Sequence, residues 1–213
     1  MGDADLGLER QPVVGEFTAY GDAVAVGCGG DVVARRGGAQ GAGDGSGAVR
    51  AEAKFRGLLE AAPDAIVIDA LANPGSMNVS WPPRGPLSQK QRDAIAASGI
   101  TAINVTVSSD FEGSVRNIGL WQGEADKYPA LLSIVRRHSD IARAKKEKTL
   151  GLMLGFQNTD MIDRDITRLD LFYRLGIRII QLTYNDRNLV GDGCLEPGNA
   201  GLSAFGRQVV ERM

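Results

Sequence analysis

The sequence predicts an α/β fold in which helices cover a parallel sheet, and two observations support this prediction. From about residue 65 onward, four short apolar runs rich in β-branched residues alternate with segments of helical periodicity. The segments that follow the strands are long and polar, whereas the turns that lead from a helix into the next strand are short, as at Leu175 and Gly176. This asymmetry places functional residues at the carboxyl ends of the strands, whether the sheet is doubly wound or closed into a barrel.

The composition is that of an ordinary globular protein, with 213 residues, a formal net charge of −2 and 43% hydrophobic residues. This near-neutral charge gives no sign of nucleic-acid binding, and no apolar run approaches the ~20 residues that span a bilayer. The opening MGDADLGLERQ carries acids where a signal peptide has a basic region, so a cytoplasmic location is expected. Two distant cysteines, Cys28 and Cys194, do not form a disulfide framework.

Residues 1–50 differ in kind from the rest, because they hold nearly half of the chain's 28 glycines. A segment this rich in glycine loses much entropy on ordering and offers few large side chains to bury. The run AVAVG (23–27) has the composition of a strand but no neighbouring partner. We therefore predict a disordered leader over 1–50 and one barrel-type domain over 51–213.

The elements of that domain follow in order. They are a helix ending before Pro63, a strand at 65–70, a proline-rich loop, a helix from Ser88 to Ala97 closed by Gly99, a strand at 100–107, a helical stretch at 113–148 interrupted at Pro129, a strand at 149–157, a helix at 163–175, a strand at 177–184 and a last helix from Ser203. The only histidine, His138, lies in a basic helical segment and is expected to be a solvated helix residue.

The segment GFQNTDMIDRDITRLDLFYRLGIRIIQLTYNDRN (155–188) resembles the membrane (renal) dipeptidase family of zinc metallopeptidases, and the resemblance covers about residues 55–213. It implies a TIM-like (β/α)8 metallo-hydrolase barrel with two zinc ions at the carboxyl ends of its strands. The family hydrolyses dipeptides, and some members open β-lactams, so small peptides or amides are the expected substrates. Zinc serves this chemistry by lowering the pKa of bound water toward neutrality.

The family's metal-ligand positions carry other residues here. Where the family has Asp-x-His-x-Asp, this chain has Asp69, then Leu71 and Asn73 at the histidine and second carboxylate positions. Gln157 stands in place of the bridging glutamate and Tyr184 in place of a histidine, and these two are the candidate catalytic residues. Leucine has no donor atom, and a neutral amide does not offset a dication as a carboxylate does. The expectation is therefore that the chain binds no metal or one.

Two carboxylates remain as candidate metal ligands, Asp69 and Asp160, and each has an alternative role as a loop or helix cap. The candidate substrate-binding residues are Asn73, Asn185, Arg187 and Asn188, of which the last three could equally form an ordinary turn. The leading function is that of a dipeptidase-family hydrolase with substituted ligand positions. The alternatives are a non-catalytic barrel that binds a small amide or peptide, and an inactive fragment.

Four βα units in ~160 residues are about half of a barrel, which typically takes about 250 residues. The sequence thus predicts a partial barrel whose open edges leave backbone groups unpaired, unless a second copy of the chain pairs with it as a homo-oligomer. We expect residues 1–213 expressed alone to be inactive and poorly soluble or molten. Cooperative thermal unfolding as a monomer would contradict this expectation.

Overall fold

The computed structural model describes residues 62–71, 86–108 and 110–213, together with Gly57, Glu60 and the backbone of two strands near the start of the chain. The elements are β1 (Val13–Thr18), β2 (Asp22–Gly27), β3 (Ile66–Asp69), α1 (Gln89–Ala97), β4 (Ala102–Thr106), α2 (Phe111–Lys127), β5 (Leu132–Ile134), α3 (His138–Glu147), β6 (Leu150–Phe156), a 3-10 turn (Asp160–Ile162), α4 (Arg168–Leu175), β7 (Ile177–Ile180) and α5 (Ala204–Arg212).

One sheet joins the described strands in the order β2-β1-β3-β4-β6, and β5 and β7 both lie on the far side of β6. β5 pairs with the amino half of β6, and β7 pairs with its carboxyl half. All neighbours are parallel except β1 and β2, which are antiparallel. The parallel strands connected by helices give the α/β architecture that the sequence predicts.

Local signals in the sequence explain where the helices begin and end. Ser88 caps α1 in a capping box with Gln91, and Gly99 follows that helix with a φ of 69°. The Asp110 carboxylate accepts a hydrogen bond from the Gly113 N–H at the start of α2, at 2.7 Å. Gly176 ends α4 with a φ of 111°, a conformation that favours glycine, and leads straight into β7.

The hydrophobic core lies between one face of the sheet and the helices. Alternate residues of β4 and β6 contribute to it, and α2, α4 and α5 cover them; the core members include Ile103, Val105, Val107, Leu152, Leu154, Phe156, Ile118, Trp121, Phe172 and Val209. Because side chains alternate along a strand, Asn104 and Gly155 belong to the other face. We call this the inner face of the sheet.

Most predicted elements are confirmed. The strands at 65–70, 100–107 and 149–157 are present with slightly shorter limits, and the helices that begin after Ser88 and Ser203 are present. His138 is an exposed residue at the start of α3, as expected. No helix among the described residues is long and apolar enough to cross a membrane.

The prediction that 113–148 is helical apart from an interruption at Pro129 is wrong at residues 132–134, which form β5. Leu132 to Ile134 pair in parallel with Leu150 to Leu152 of β6. The prediction used the spacing of Leu131, Leu132 and Val135, which suits one face of a helix. A helix does not continue past Pro129, and the residues that follow pair with β6 instead. Two further limits differ: α4 begins at Arg168 rather than at 163, and β7 ends at Ile180 rather than at 184.

The prediction that 1–50 contains no paired strand is also wrong for two segments. β1 pairs with β2, and Val13 and Val14 of β1 pair with Ile66 and Val67 of β3. β2 alternates valine with alanine, and β1 begins with two valines, but the parallel partner of β1 lies some 50 residues further along the chain, where local inspection does not find it. The other residues of the predicted leader lie outside the described part of the chain.

Candidate active site

The polar residues that follow β4, β6 and β7 lie together at the carboxyl edge of the sheet, and we call residues 106–108, 157–159 and 181–191 the strand-end site. The Gln157 backbone N–H donates to Ser108 Oγ at 2.6 Å, which joins the ends of β6 and β4. Thr106 Oγ1 donates to the same oxygen at 3.3 Å. The Gln181 N–H donates to the Phe156 carbonyl at 2.8 Å and so joins β7 to β6. Gln157 therefore has a fixed backbone position, while its half-buried side chain makes no hydrogen bond within the described part of the chain.

Asn188 holds the loop after β7 against the end of β6. Its Nδ2 donates to Thr159 Oγ1 at 3.1 Å and to the Leu182 carbonyl at 2.9 Å. Its Oδ1 accepts from the N–H groups of Val190 and Gly191, at 2.8 and 3.2 Å. The carboxamide thus uses both donors and its acceptor on the protein itself. This arrangement makes Asn188 a positioning residue of the strand-end site, whereas a direct contact with substrate stays a prediction.

Arg187 is mostly exposed, and Asp192 binds its guanidinium through the Nε–H group. Its Nε donates to Asp192 Oδ1 at 2.6 Å, and its backbone N–H donates to Glu196 Oε1 at 2.7 Å. The hydrogen bond from Arg187, together with the Ala200 N–H, holds the pKa of the Asp192 carboxyl below its usual range. The same pairing raises the pKa of Arg187, so that its positive charge is permanent. A guanidinium held through Nε can still present its terminal nitrogens to a carboxylate.

Tyr184 and Asn185 lie at the outer side of this loop. Tyr184 is 43% exposed, and its carbonyl accepts from the Cys194 N–H at 2.8 Å. Asn185 Oδ1 accepts from the exposed Cys194 Sγ at 3.4 Å. A Cβ on Gly193 would collide with the backbone carbonyls of Asn185 and Asp186, so only glycine fits this crossing of the loop. Backbone contacts therefore close the loop on itself and hold Tyr184 in place at the strand-end site.

Asp160 does not cap α4, contrary to one of the two roles predicted for it. Its Oδ2 accepts from Asn158 Nδ2 at 2.7 Å, and it is the first residue of the 3-10 turn. Together with Asp163 and Arg168 it lines an open cleft of about 560 Å³ beside the ends of β4 and β6. The capping role fails because α4 begins eight residues later, at Arg168.

Asp69 makes the loop contact that its alternative role predicts. Its Oδ1 accepts from the Leu71 N–H at 2.9 Å. The register pairs Asp69 with Ile103, a core residue, so the two side chains leave the sheet on the helix-facing side. The residue is only 7% exposed, and burial raises the pKa of its carboxyl, an effect that the Leu71 hydrogen bond partly offsets. Asn73, the other candidate on this loop, lies outside the described residues.

Replacement of Asp69 by asparagine is expected to raise the free energy of unfolding at neutral pH. Asparagine keeps an oxygen for the Leu71 N–H and removes the cost of a buried carboxylate. Because the folded-state pKa of Asp69 lies above its ordinary value of 3.8, both proteins should be equally stable below pH 3.8. The advantage of Asp69→Asn should grow as pH rises through the raised pKa and then level off. Urea unfolding of the full-length protein at pH 3.5 and 7 measures this difference.

The matched control is Asp64→Asn, which changes an exposed carboxyl five residues earlier. It should shift stability little at either pH. A loss of stability at neutral pH in Asp69→Asn would mean that the carboxylate is needed in its charged form.

Within the described ranges, no three side chains of the types His, Cys, Asp and Glu are grouped so that they could hold a metal ion. Leu71, Gln157 and Tyr184 lie in these ranges, and their match to the family's ligand positions stays a prediction. The side chains that line the strand-end site next to β4 and β6 are mostly hydroxyls and carboxamides. Sequence analysis did not single out Ser108 or Thr159 of this site, nor Asn104 on the inner face beside it. The alternation of side chains along a strand is the signal that could have indicated the face on which Asn104 lies.

The fold and the site define an α/β protein with part of a TIM-like barrel and polar groups at the carboxyl ends of its strands. The chain belongs to the membrane dipeptidase family (peptidase family M19), whose model matches residues 87–213. The family is one of hydrolases, and its members act on small peptides. The predicted family and fold class are thereby confirmed.

Solved structures agree with this assignment. An amidohydrolase from Pseudomonas aeruginosa is 34% identical, with a TM-score of 0.62 over 72% of this chain and 44% of that one. The probable dipeptidase PvdM from the same organism is 17% identical, with a TM-score of 0.57 over 76% and 47% of the two chains. A metallo peptidase from Rhodobacter sphaeroides, liganded with a phosphinate mimic of the dipeptide L-Ala-D-Ala, is 13% identical with a TM-score of 0.53, over 68% and 55%. The chain therefore spans about half the length of the structures that it matches.

Proposed function

We propose that this chain forms the substrate-binding part of a dipeptidase-family hydrolase that cleaves dipeptides or related small amides, with the metal-ligand positions of this half substituted. The observation that carries the proposal is the group of uncharged polar residues in the strand-end site, where Ser108 accepts a hydrogen bond from the Gln157 N–H and lies beside Thr106. Hydroxyl and carboxamide groups can both donate and accept, as the C=O and N–H of a peptide bond require. Arg187 adds a permanent positive charge for a peptide carboxylate.

The residues at the family's ligand positions do not fit a pair of zinc ions. Leu71 offers no donor atom, and Gln157 offers only a neutral carbonyl oxygen, so the charge of two dications is not compensated. We therefore assign binding and orientation of the substrate to this chain's residues and derive no step through a metal. At most one tightly held metal per chain is consistent with this proposal.

A direct test uses the full-length protein and the dipeptide glycyl-leucine. We expect hydrolysis, with no more than one equivalent of metal by elemental analysis after dialysis. Gln157→Ala should lower kcat/KM at least tenfold, because it removes the carboxamide that follows β6 but keeps the backbone N–H that donates to Ser108. Gln89→Ala, which changes a glutamine on the surface of α1, should leave kcat/KM unchanged. Two equivalents of zinc held by the protein would contradict the substituted site.

The second candidate function is a non-catalytic protein that binds a small amide or peptide at the same place. The observation that favours it is Leu71, since a leucine at a ligand position removes a metal contact without supplying another catalytic group. Measurable binding of glycyl-leucine without any turnover would select this function over the hydrolase.

A further inference from the structure

A buried polar atom on the inner face of the sheet lacks a partner among the described residues. Asn104 lies in the middle of β4 and is 9% exposed, and its Oδ1 accepts no hydrogen bond from the described part of the chain. An unpaired buried acceptor costs about 1–3 kcal/mol, so a folded protein seldom keeps one without a use. The surrounding contacts indicate what that use is.

Asn104 leans toward the strand-end site. The register pairs Asn104 with Met153 and Thr106 with Gly155. Gly155 is therefore two residues closer to the carboxyl edge of the sheet than the strand partner of Asn104. A Cβ on Gly155 would collide with Asn104 Oδ1 and would lie 3.2 Å from Ile179 Cβ of β7. The carboxamide therefore occupies space that only a glycine leaves open. The Asn104 oxygen therefore lies at the level of Gly155, two residues before the contact between Ser108 and Gln157.

The neighbouring groups that the described strands place on this face are uncharged. Thr106 and Gly155 form the next rung, Ile179 lies beside Gly155, and Gln157 follows β6 at the edge. A lone acceptor among neutral neighbours suits a neutral N–H donor better than a dication or an anion. The terminal torsion of asparagine is broad, so the carboxamide can turn from Gly155 toward a bound group without leaving its rotamer.

We infer that Asn104 is a substrate-binding residue whose Oδ1 accepts the N–H of the amide bond in a small peptide or amide. This inference rests on the proposed function and names the chemical group that the strand-end site recognises. Gly155 determines specificity with it, because its missing side chain leaves the carboxamide room to lean and to turn. The bound amide supplies the donor that Asn104 Oδ1 lacks among the described residues.

The experiment compares two ligands that differ in one group. Dissociation constants of glycyl-leucine and of its depsipeptide, in which an ester oxygen replaces the peptide N–H, are measured by calorimetry on the full-length protein. The protein is first treated with a chelator, and the absence of turnover of either ligand is checked. The wild type should bind the amide about tenfold or more tightly than the ester. Asn104→Leu should remove this preference, and Gly155→Ala should reduce it.

Thermal unfolding separates this role from a structural one. Removing an unpaired buried acceptor should leave the Tm of Asn104→Leu unchanged or raise it by about 2–4 °C. The matched control is Asn117→Leu, which changes a buried asparagine whose Nδ2 donates to the Val107 carbonyl at 3.4 Å. This control should lower the Tm and keep the preference for the amide.

Three results would overturn the inference: equal affinity of the wild type for both ligands, an amide preference that persists in Asn104→Leu, or no binding of either ligand. The proposed function is tested separately, by the hydrolysis of glycyl-leucine. A wild type that cleaves the dipeptide but does not distinguish the two ligands would refute the role of Asn104 alone.

Discussion

Phe172→Ala is expected to lower the free energy of unfolding of the full-length protein by about 3–5 kcal/mol, the range for removal of a fully buried phenylalanine. Phe172 of α4 is 0% exposed and packs edge-on against Phe156 of β6, with ring centroids 4.8 Å apart. Its other neighbour is Phe111 of α2, at 5.7 Å. The ring thus joins two helices to the strand that ends at Phe156, and alanine would leave a cavity at their junction.

The measurement is equilibrium unfolding in urea, with Leu171→Ala as the control on the same helix. Leu171 is 40% exposed, so its truncation should cost far less than that of Phe172. Because the cavity lies directly behind the end of β6, we also expect a lower affinity for ligands at the strand-end site. A loss of stability similar to that of Leu171→Ala would show that α4 does not anchor the sheet in this way.

The parts of the fold that the sequence predicted are those with strong local signals. The continuous apolar run of β6 and the cap at Ser88 specify their elements within a few residues, and the structure contains both. β5 was missed because three residues after a proline carry too short a pattern to separate a strand from a helix. β1 was missed because its parallel partner, β3, is far away in the sequence.

The candidate site was predicted only to the level of strand ends. Topology alone places Gln157 after β6, and the loop that begins at Tyr184 follows β7, as the alternation of strands and helices requires. Which atoms contact each other at the strand-end site depends on the conformation of the loops. The periodicity of apolar residues in the sequence does not predict that conformation. The contact of Asn188 with Thr159, and the unpaired oxygen of Asn104, become visible only when the strands are in register.

Asn188 is where loop conformation has its largest expected effect on the site. One carboxamide joins three points of the chain: Thr159 after β6, Leu182 after β7, and the turn at Val190 and Gly191. Thr159 Oγ1 also donates to the Leu182 carbonyl at 2.9 Å, so the three groups form one small network. Removing a member of such a network leaves its partners unpaired, which costs more than the mean value of a hydrogen bond.

We expect Asn188→Ala to lower the free energy of unfolding by about 2–3 kcal/mol and to free the loop between β7 and α5 for proteolysis. Asn185→Ala is the matched control, because Asn185 is an exposed asparagine of the same loop. Within the described part of the chain, its side chain bonds to Cys194 Sγ alone, at 3.4 Å. Hydrogen exchange at the Val190 and Gly191 amides reports the local effect, and urea unfolding reports the global one.

If the two variants exchanged and unfolded alike, the loop would be held by its backbone crossing at Gly193, and Asn188 would not be its anchor. Faster exchange confined to Asn188→Ala, with weaker binding of glycyl-leucine, would establish that this side chain positions the strand-end site.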